Sequence, residues 1–502
     1  MATKLVNFLG KGVPQGARSP FFKNRGWING QWVEAKEKRY FPVTNPANTE
    51  LITEVPDMQR EDVLEAIESS YAAQKLWRRQ TAKSRALLLR QWYELMNKHK
   101  SEIAKMITIE QGKPYTESLN EVNYGMSFID WFSEEGKRLY GDVLPSPQEN
   151  KRMFLMKEPV GVAALITPWN FPLAMITRKA GAALAAGCSI IIKPSEETPL
   201  TALAIAQLSH EAGIPPGVIN VLTCSRDSVH EVSDVLLDDE RISKISFTGS
   251  TAIGKRLIAG SANTVKKLSL ELGGNAPFIV FDTADVDVAV KGAIAGKFRN
   301  AGQTCVSPNR LLVQSKIYNE FVDKLTQAVS NLKVGDGLND GIDQGPLINA
   351  GAIDKVERHV NDAVDQGGEV LVGGTRMTSL PGTFYNPSVL INVNNEMLIT
   401  REETFGPIAP IIKFDTEDEA VSIANNTQFG LIGYFYSRDI DQIWRVSDAL
   451  ETGMVGINEA LLSNEVGAFG GKKQSGFGRE GSKYGINEYI NIKYVCMGNL
   501  KT

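Results

Sequence analysis

The chain has 502 residues, a formal charge of −4, 42% hydrophobic and 22% charged residues. That length exceeds one ordinary core and requires two or three domains. The small net charge gives no electrostatic case for nucleic acid or a membrane surface as partner. Its four cysteines, Cys188, Cys224, Cys305 and Cys496, are too few for a disulfide framework and fit no metal-ligand spacing. They point to a reducing compartment, the cytoplasm, and to no metal. The longest largely apolar run, Ala180 to Ile192, has 13 residues and is too short to span a bilayer.

The first 33 residues carry five basic and no acidic side chains, faintly like a transit peptide. Gly10, Gly12, Pro14 and Gly16 interrupt any amphipathic helix there, so an ordinary N-terminal arm is expected. Asn-Gly within Trp27 to Val33 predicts a tight hairpin. Helices are predicted over Glu61 to Trp77, with Val63, Ile67 and Tyr71 on one face, and over Lys83 to Lys98. Tyr140 to Lys157, broken by Gly141, Pro145 and Pro147, reads as a protruding hairpin.

From Pro159 the chain alternates strand and helix. Apolar strands are predicted at Val160 to Thr167, Ser189 to Lys193, Val218 to Leu222, Ile242 to Phe247 and Lys267 to Glu271. A helix from Pro172 to Ala186 stops at Gly187. Another starts with Thr198 as its capping hydroxyl and Pro199 in its first turn. This is the grammar of an open, doubly wound sheet. A second series begins at Pro277, with strands near Arg310 to Val313, Glu369 to Val372, Ile408 to Phe414, Gly433 to Ser437 and Gly453 to Asn458. The final segment, Glu488 to Cys496, alternates like a strand that could augment a neighbour's sheet.

Cys305 follows a helix expected over Val286 to Arg299 and the small turn Ala301 to Gln303. No apolar stripe surrounds it, so an accessible thiol is expected rather than a sealed core cysteine. The four histidines, His99, His210, His230 and His359, read as solvated helix residues, and any general base is therefore expected to be a carboxylate. Phe247 to Gly254 leaves a strand and opens a helix whose amides suit a phosphate. Lys193 to Glu196 ends the neighbouring strand, where an acid can take two ribose hydroxyls and repel an extra phosphate. Asn170, at the end of another strand, is a candidate oxyanion donor or a helix cap.

Six stretches in order resemble the aldehyde dehydrogenase superfamily: ITPWNFP (166 to 172), KPSEETP (193 to 199), FTGSTAIG (247 to 254), LELGGNAP (270 to 277), GQTC (302 to 305) and EETFGP (402 to 407). The resemblance implies two doubly wound α/β domains plus a small β oligomerisation element. Residues 1–139 and 159–272 would bind NAD, residues 273–480 would be catalytic, and residues 140–158 and 481–502 would support a homodimer or homotetramer. It also implies Cys305 as nucleophile, Asn170 as oxyanion donor and Glu271 as the base that hydrolyses the thioester. Cofactor contacts fall on Thr167, Pro168, Trp169, Lys193, Ser195, Glu196, Gly249, Ser250, Glu403 and Phe405, with Lys179 in a supporting role. Glu196 favours NAD, with NADP the alternative.

Within the superfamily, ITRKAGAALAAGC (176 to 188), FRNAGQTCV (298 to 306) and the tail from Gln474 to Gly498 are most similar to succinate-semialdehyde dehydrogenases. This likeness implies oxidation of succinate semialdehyde in 4-aminobutyrate degradation, with Arg178, Arg299 and Ser463 on the substrate carboxylate. Glutarate semialdehyde or another aldehyde is the near alternative. A coenzyme-A-acylating enzyme is disfavoured by Glu271, and a non-enzymatic role by the intact Cys305, Glu271 and Asn170. Two departures stand out: Ser307 replaces the second cysteine that many relatives carry two positions after the nucleophile, and Pro308 follows it.

Overall fold

The structure is a computed structural model and describes residues 23–500; residues 1–22 of the expected N-terminal arm lie outside it. The Asn-Gly hairpin forms between Gly26–Ile28 and Gln31–Val33, with Asn29 and Gly30 both left-handed, as a two-residue turn of this kind requires. It pairs onto the edge of an eight-stranded sheet. In spatial order the other strands are Ile219–Val221, Ser189–Lys193, Val162–Ile166, Ile242–Thr248, Lys267–Glu271 and Gly476–Phe477. The middle five run parallel.

Alternate residues of these strands enter two separate cores. Ala163, Leu165, Ile190 and Ile192 face one layer of helices, and Val162, Ala164, Ile191 and Ile245 face the other. Both faces are covered, which is why the strands read as unbroken apolar runs. The chain builds outward from Val162–Ile166 and then returns to its other side with Ile242–Thr248. The crevice at the carboxyl ends of those two strands is the switch point where open sheets bind ligands.

The second sheet has seven strands, in the order Glu369–Val372, Ser388–Ile391, Ile408–Phe414, Pro308–Gln314, Ala276–Val280, Ile432–Tyr436 and Met454–Ile457. Phe278, Val280, Leu311 and Val313 pack on one face, and Ile279, Leu312 and Phe435 on the other. A third sheet joins Asp142–Leu144, Arg152–Pro159 and Ile490–Met497. The terminal strand therefore pairs along the hairpin of its own chain, not first with a neighbour's sheet, because the tail folds back across the molecule.

Several sequence expectations change. Arg60–Trp77 is a helix, but only Val63 and Ile67 of the expected face are buried; Tyr71 is exposed. Thr198 does not cap its helix. Its hydroxyl is buried without a partner, and the buried carboxylate of Glu110, on a distant helix, accepts from the backbone N–H groups of Leu200 and Thr201 instead. His359 is fully buried, not solvated, and its ring contacts the Thr404 hydroxyl and the Glu402 carboxylate. Two helices, Lys100–Gln111 and Tyr115–Glu135, were not expected; the second lines the cavity at Cys305 with Glu117, Glu121 and Tyr124, and the first reaches Asn300 through Gln111. Among the described residues no helix is long and apolar enough to cross a membrane.

Candidate active site

Cys305 lies between the Val286–Lys297 helix and the Pro308–Gln314 strand. The turn before it is strained: Asn300, Ala301 and Gly302 have φ of 52°, 54° and 73°. Two non-glycine residues in the left-handed region cost energy that the surroundings must offset. Asn300 is locked by a hydrogen bond from Gln111 Nε2 at 2.9 Å and by its own donation to the Asn170 carbonyl at 3.0 Å. A Cβ on Gly302 would collide with the Gly406 carbonyl, and one on Gly274 with the carbonyl of Cys305. The nucleophile loop is thus pressed between two glycine-bearing motifs, and its thiol is partly buried rather than open at a domain mouth.

Glu271 ends the Lys267–Glu271 strand and meets the thiol directly: Cys305 Sγ donates to its Oε1 at 3.0 Å. Burial, and then the charge of Glu271, push the thiol well above its ordinary pKa. The second oxygen, Oε2, accepts from Arg178 Nη2 at 2.6 Å and from Thr248 Oγ1 at 3.1 Å. Arg178 Nε also donates to Glu480 Oε2 at 2.7 Å, and Lys179 bridges Glu480 and Thr248. Burial opposes ionisation of Glu480, but Lys179 and Arg178 together hold its pKa down to about 2.

Asn170 is not a helix cap. The helix starts at Ala174, and the Leu173 N–H donates to Glu121 Oε1 at 2.9 Å. Lys113, fully buried, clamps this junction by donating to Glu121 Oε2 at 2.6 Å and to the Asn170 carbonyl at 2.7 Å. The Asn170 Nδ2 group donates to the Gln303 carbonyl at 3.1 Å, and its Oδ1 is buried without a partner. The oxyanion candidate and the nucleophile loop are therefore stitched together.

Two cavities meet at Cys305. One, of about 300 Å³, is lined by Lys113, Glu117, Tyr124, Phe171, Arg178, Arg299, Ser463 and Phe469. It gathers the three substrate candidates Arg178, Arg299 and Ser463. They are not equivalent: Arg178 is committed to two carboxylates, whereas the Arg299 Nε is buried without a hydrogen-bond partner. The other, of about 280 Å³, is lined by Pro168, Trp169, Asn170, Gly249, Ser250, Glu403 and Phe405, and runs from Cys305 to the start of the Thr251–Gly260 helix. Thr167, Lys193, Ser195 and Glu196 lie outside that lining, at the adjacent strand ends; Thr167 N–H donates to the Lys193 carbonyl at 3.1 Å. Lys193 is buried, with Glu196 3.8 Å from its ammonium.

The second cavity fits a dinucleotide. Burial pushes Glu403 up to about 7, and its Oε1 is aligned by the Gly274 N–H at 3.0 Å. Phe405, itself left-handed at φ 57°, stands edge-on to Trp169 with centroids 5.5 Å apart. Acceptors for a ribose, a flat apolar wall and a capped helix N-terminus occur in sequence along it. Lys355 also lines this cavity and donates to the Glu403 carbonyl. Sequence reasoning missed Lys113, Glu121, Thr248, Lys355 and Glu480. Each is an ordinary charged or hydroxyl residue in a helix, loop, strand end or tail, and only its tertiary contacts mark it.

The family model described as "Aldehyde dehydrogenase family" matches residues 32–495. The chain is 53% identical over 478 residues to a mitochondrial succinate-semialdehyde dehydrogenase of Oryza sativa subsp. japonica, covering 95% of this chain and 90% of that one. It is 51% identical over 480 residues to the succinate-semialdehyde dehydrogenase [NADP(+)] of Escherichia coli (strain K12), covering 96% and 99%. The crystal structure of succinate-semialdehyde dehydrogenase from Burkholderia pseudomallei superposes with a TM-score of 0.94 at 52% identity, covering 96% of this chain and 99% of that one. With the fold, the paired cavities and the thiol between them, these matches place the chain in the aldehyde dehydrogenase family.

Proposed function

We propose that this enzyme oxidises succinate semialdehyde to succinate with NAD or NADP. The observation that carries the reading is Arg299: a partly buried guanidinium whose Nε is buried without a partner, lining with Ser463 the cavity that ends on Cys305. A buried donor without a partner is costly unless a ligand takes it, and a carboxylate is the complement of an arginine fork. The names of the similar enzymes support the same substrate, and 4-aminobutyrate degradation is the setting that fits it.

In this reading Cys305 passes its proton to Glu271 Oε1 and its sulfur attacks the aldehyde carbon. The carbonyl oxygen becomes an alkoxide, held by the Cys305 N–H and the second hydrogen of Asn170 Nδ2. When bound in the second cavity, the nicotinamide supplies a hydride acceptor. The carbon–hydrogen bond breaks with its electron pair and the carbonyl re-forms as a thioester on Cys305; Glu271, once it has released the thiol proton to solvent, takes a proton from water as hydroxide adds. The carbon–sulfur bond then breaks, giving carboxylate and free thiol. A carboxylate already against the sulfur supports release to water rather than to coenzyme A.

Lys193, Ser195 and Glu196 would hold the adenosine ribose, Gly249 and Ser250 the pyrophosphate, and Glu403 the nicotinamide ribose, with Thr167, Pro168, Trp169 and Phe405 walling the channel. Glu196 supports a preference for NAD. Residues 1–139 and 159–272 serve as the cofactor domain and 273–480 as the catalytic domain, with the 476–477 strand crossing back to the first sheet. Exposed Val143, Met156, Ile492 and Tyr494 on the third sheet support assembly as a homodimer or homotetramer. Four free thiols fit a reducing compartment, cytoplasmic on this reading. The test is reduced-cofactor formation from succinate semialdehyde, glutarate semialdehyde and butyraldehyde, each with NAD and NADP, with Cys305→Ala as control. Equal rates on butyraldehyde would sink the substrate assignment.

A further inference from the structure

Lys113 lines the aldehyde cavity, yet it is only 2% exposed and its ammonium is engaged by the protein. Nζ donates to Glu121 Oε2 at 2.6 Å and to the Asn170 carbonyl at 2.7 Å, and it lies over the Phe171 ring, 3.8 Å from the centroid. The residue sits in the short loop between the Lys100–Gln111 and Tyr115–Glu135 helices, after a left-handed Gly112. A Cβ on that glycine would meet Pro46 and Pro346, so the loop follows one tight path. From this loop two arms converge on a single atom. Lys113 reaches the Asn170 carbonyl directly. Gln111 accepts from the Lys113 N–H at 3.0 Å and donates to Asn300 Oδ1 at 2.9 Å, and Asn300 Nδ2 donates to the same carbonyl at 3.0 Å.

The Asn170 side chain itself is sparsely anchored. Its Nδ2 donates to the Gln303 carbonyl at 3.1 Å, and its Oδ1 is buried with no partner. An amide held at one point can turn about its side-chain torsions, so its second hydrogen is aimed only as well as the main chain beneath it is fixed. That main chain is fixed twice: at the Asn170 carbonyl by Lys113 and Asn300, and at the N–H groups of Leu173 and Ala174 by Glu121 Oε1, at 2.9 and 3.4 Å. Of the two donors to the carbonyl only Lys113 is an ammonium, and a charge-assisted bond is roughly twice as strong as a neutral one.

We propose that Lys113 is a positioning residue for the oxyanion donor: with Glu121 as its counter-charge it fixes the Asn170 main chain, and so aims the second Nδ2 hydrogen at the oxygen that becomes an alkoxide on Cys305. Its effect falls on the transition state for every aldehyde, charged or uncharged, and not on the binding of a substrate carboxylate. The inference rests on the reading of Cys305 as nucleophile and Asn170 as oxyanion donor.

The experiment is a double-mutant cycle on the full chain: wild type, Lys113→Met, Asn170→Ala and the double variant, each assayed on succinate semialdehyde and butyraldehyde, with melting temperatures recorded. Lys113→Met is expected to lower kcat about thirtyfold with both aldehydes and to leave KM within about threefold. In the Asn170→Ala background the same change should cost less than about threefold in kcat, because the group it aims is absent, while the melting temperature still falls. Lys113→Arg keeps the charge and should recover part of kcat. If Lys113→Met does not fold, Lys113→Arg takes its place in the cycle, with a smaller loss that again shrinks in the Asn170→Ala background. Wild-type kcat in the Lys113 variant, losses that multiply across the cycle, or a rise in KM confined to the charged aldehyde each overturn the role. Wild-type turnover in Asn170→Ala, or activity in Cys305→Ala, would instead overturn the underlying reading.

Discussion

The two cavities that meet at Cys305 are nearly equal in volume and unlike in construction. The cofactor side is made of strand ends and turns: the Thr167 to Asn170 and Gly249 to Ser250 segments lie where the parallel strands stop, with Glu403 and Phe405 on one loop opposite. Its recognition groups are set by short contiguous motifs. The aldehyde side is made of side chains from helices and loops far apart in sequence, and its charges are mostly cancelled: Lys113 by Glu121, Arg178 by Glu271 and Glu480. Two donors on that wall, Arg299 Nε and the Thr304 hydroxyl, are buried without a partner.

The shared wall breaks both sides at once. Cys305→Ala is expected to lower turnover by about ten-thousandfold with every aldehyde and either cofactor, measured as reduced nicotinamide at 340 nm. Asn170→Ala touches the same wall through the oxyanion and should reduce kcat by about a hundredfold with little change in KM.

Breaking one side should leave the other's preference intact. Lys113→Met leaves the buried Glu121 carboxylate without its counter-charge, so a loss of about 3–5 kcal/mol in stability is expected, read as a lower melting temperature. Glu196→Ser should raise the NADP-to-NAD ratio of kcat/KM by about tenfold, a modest effect because the side chain is 31% exposed and solvent screens it. An unchanged ratio would remove Glu196 from cofactor choice.

The last prediction concerns the pH response of the thiol. Burial, and then Glu271, raise the Cys305 pKa, so alkylation by iodoacetamide should accelerate with rising pH until well past the ordinary thiol range. In Glu271→Gln the opposing charge is gone and the midpoint should move to lower pH. A midpoint that does not move would mean burial alone sets it.

Most strands of both parallel sheets and the hairpin at Asn29-Gly30 were legible in the sequence, and so was the candidate set Cys305, Glu271 and Asn170; the helices Lys100–Gln111 and Tyr115–Glu135 were not. What was legible is encoded locally, by apolar period, by turn chemistry or by motif. Glu480 was not legible, since an acid in a glycine-rich tail looks solvated until the tail folds back against the Ala174–Ala186 helix. Nor was the cap of the Pro199–Glu211 helix: a local hydroxyl, Thr198, was available, but a distant buried carboxylate took the role. His359 was misread for the same reason, because its neighbours in sequence say nothing of the Glu402 to Thr404 loop that covers it.

What the sequence determined by itself was therefore the inventory of reactive groups and the local geometry of the turns that carry them. Tertiary structure decided which charges cancel one another and which donors stay without a partner. Burial makes that decision, because a charge's partner is chosen by proximity in a low-dielectric interior, and proximity between residues 178, 271 and 480 exists only once the chain is folded.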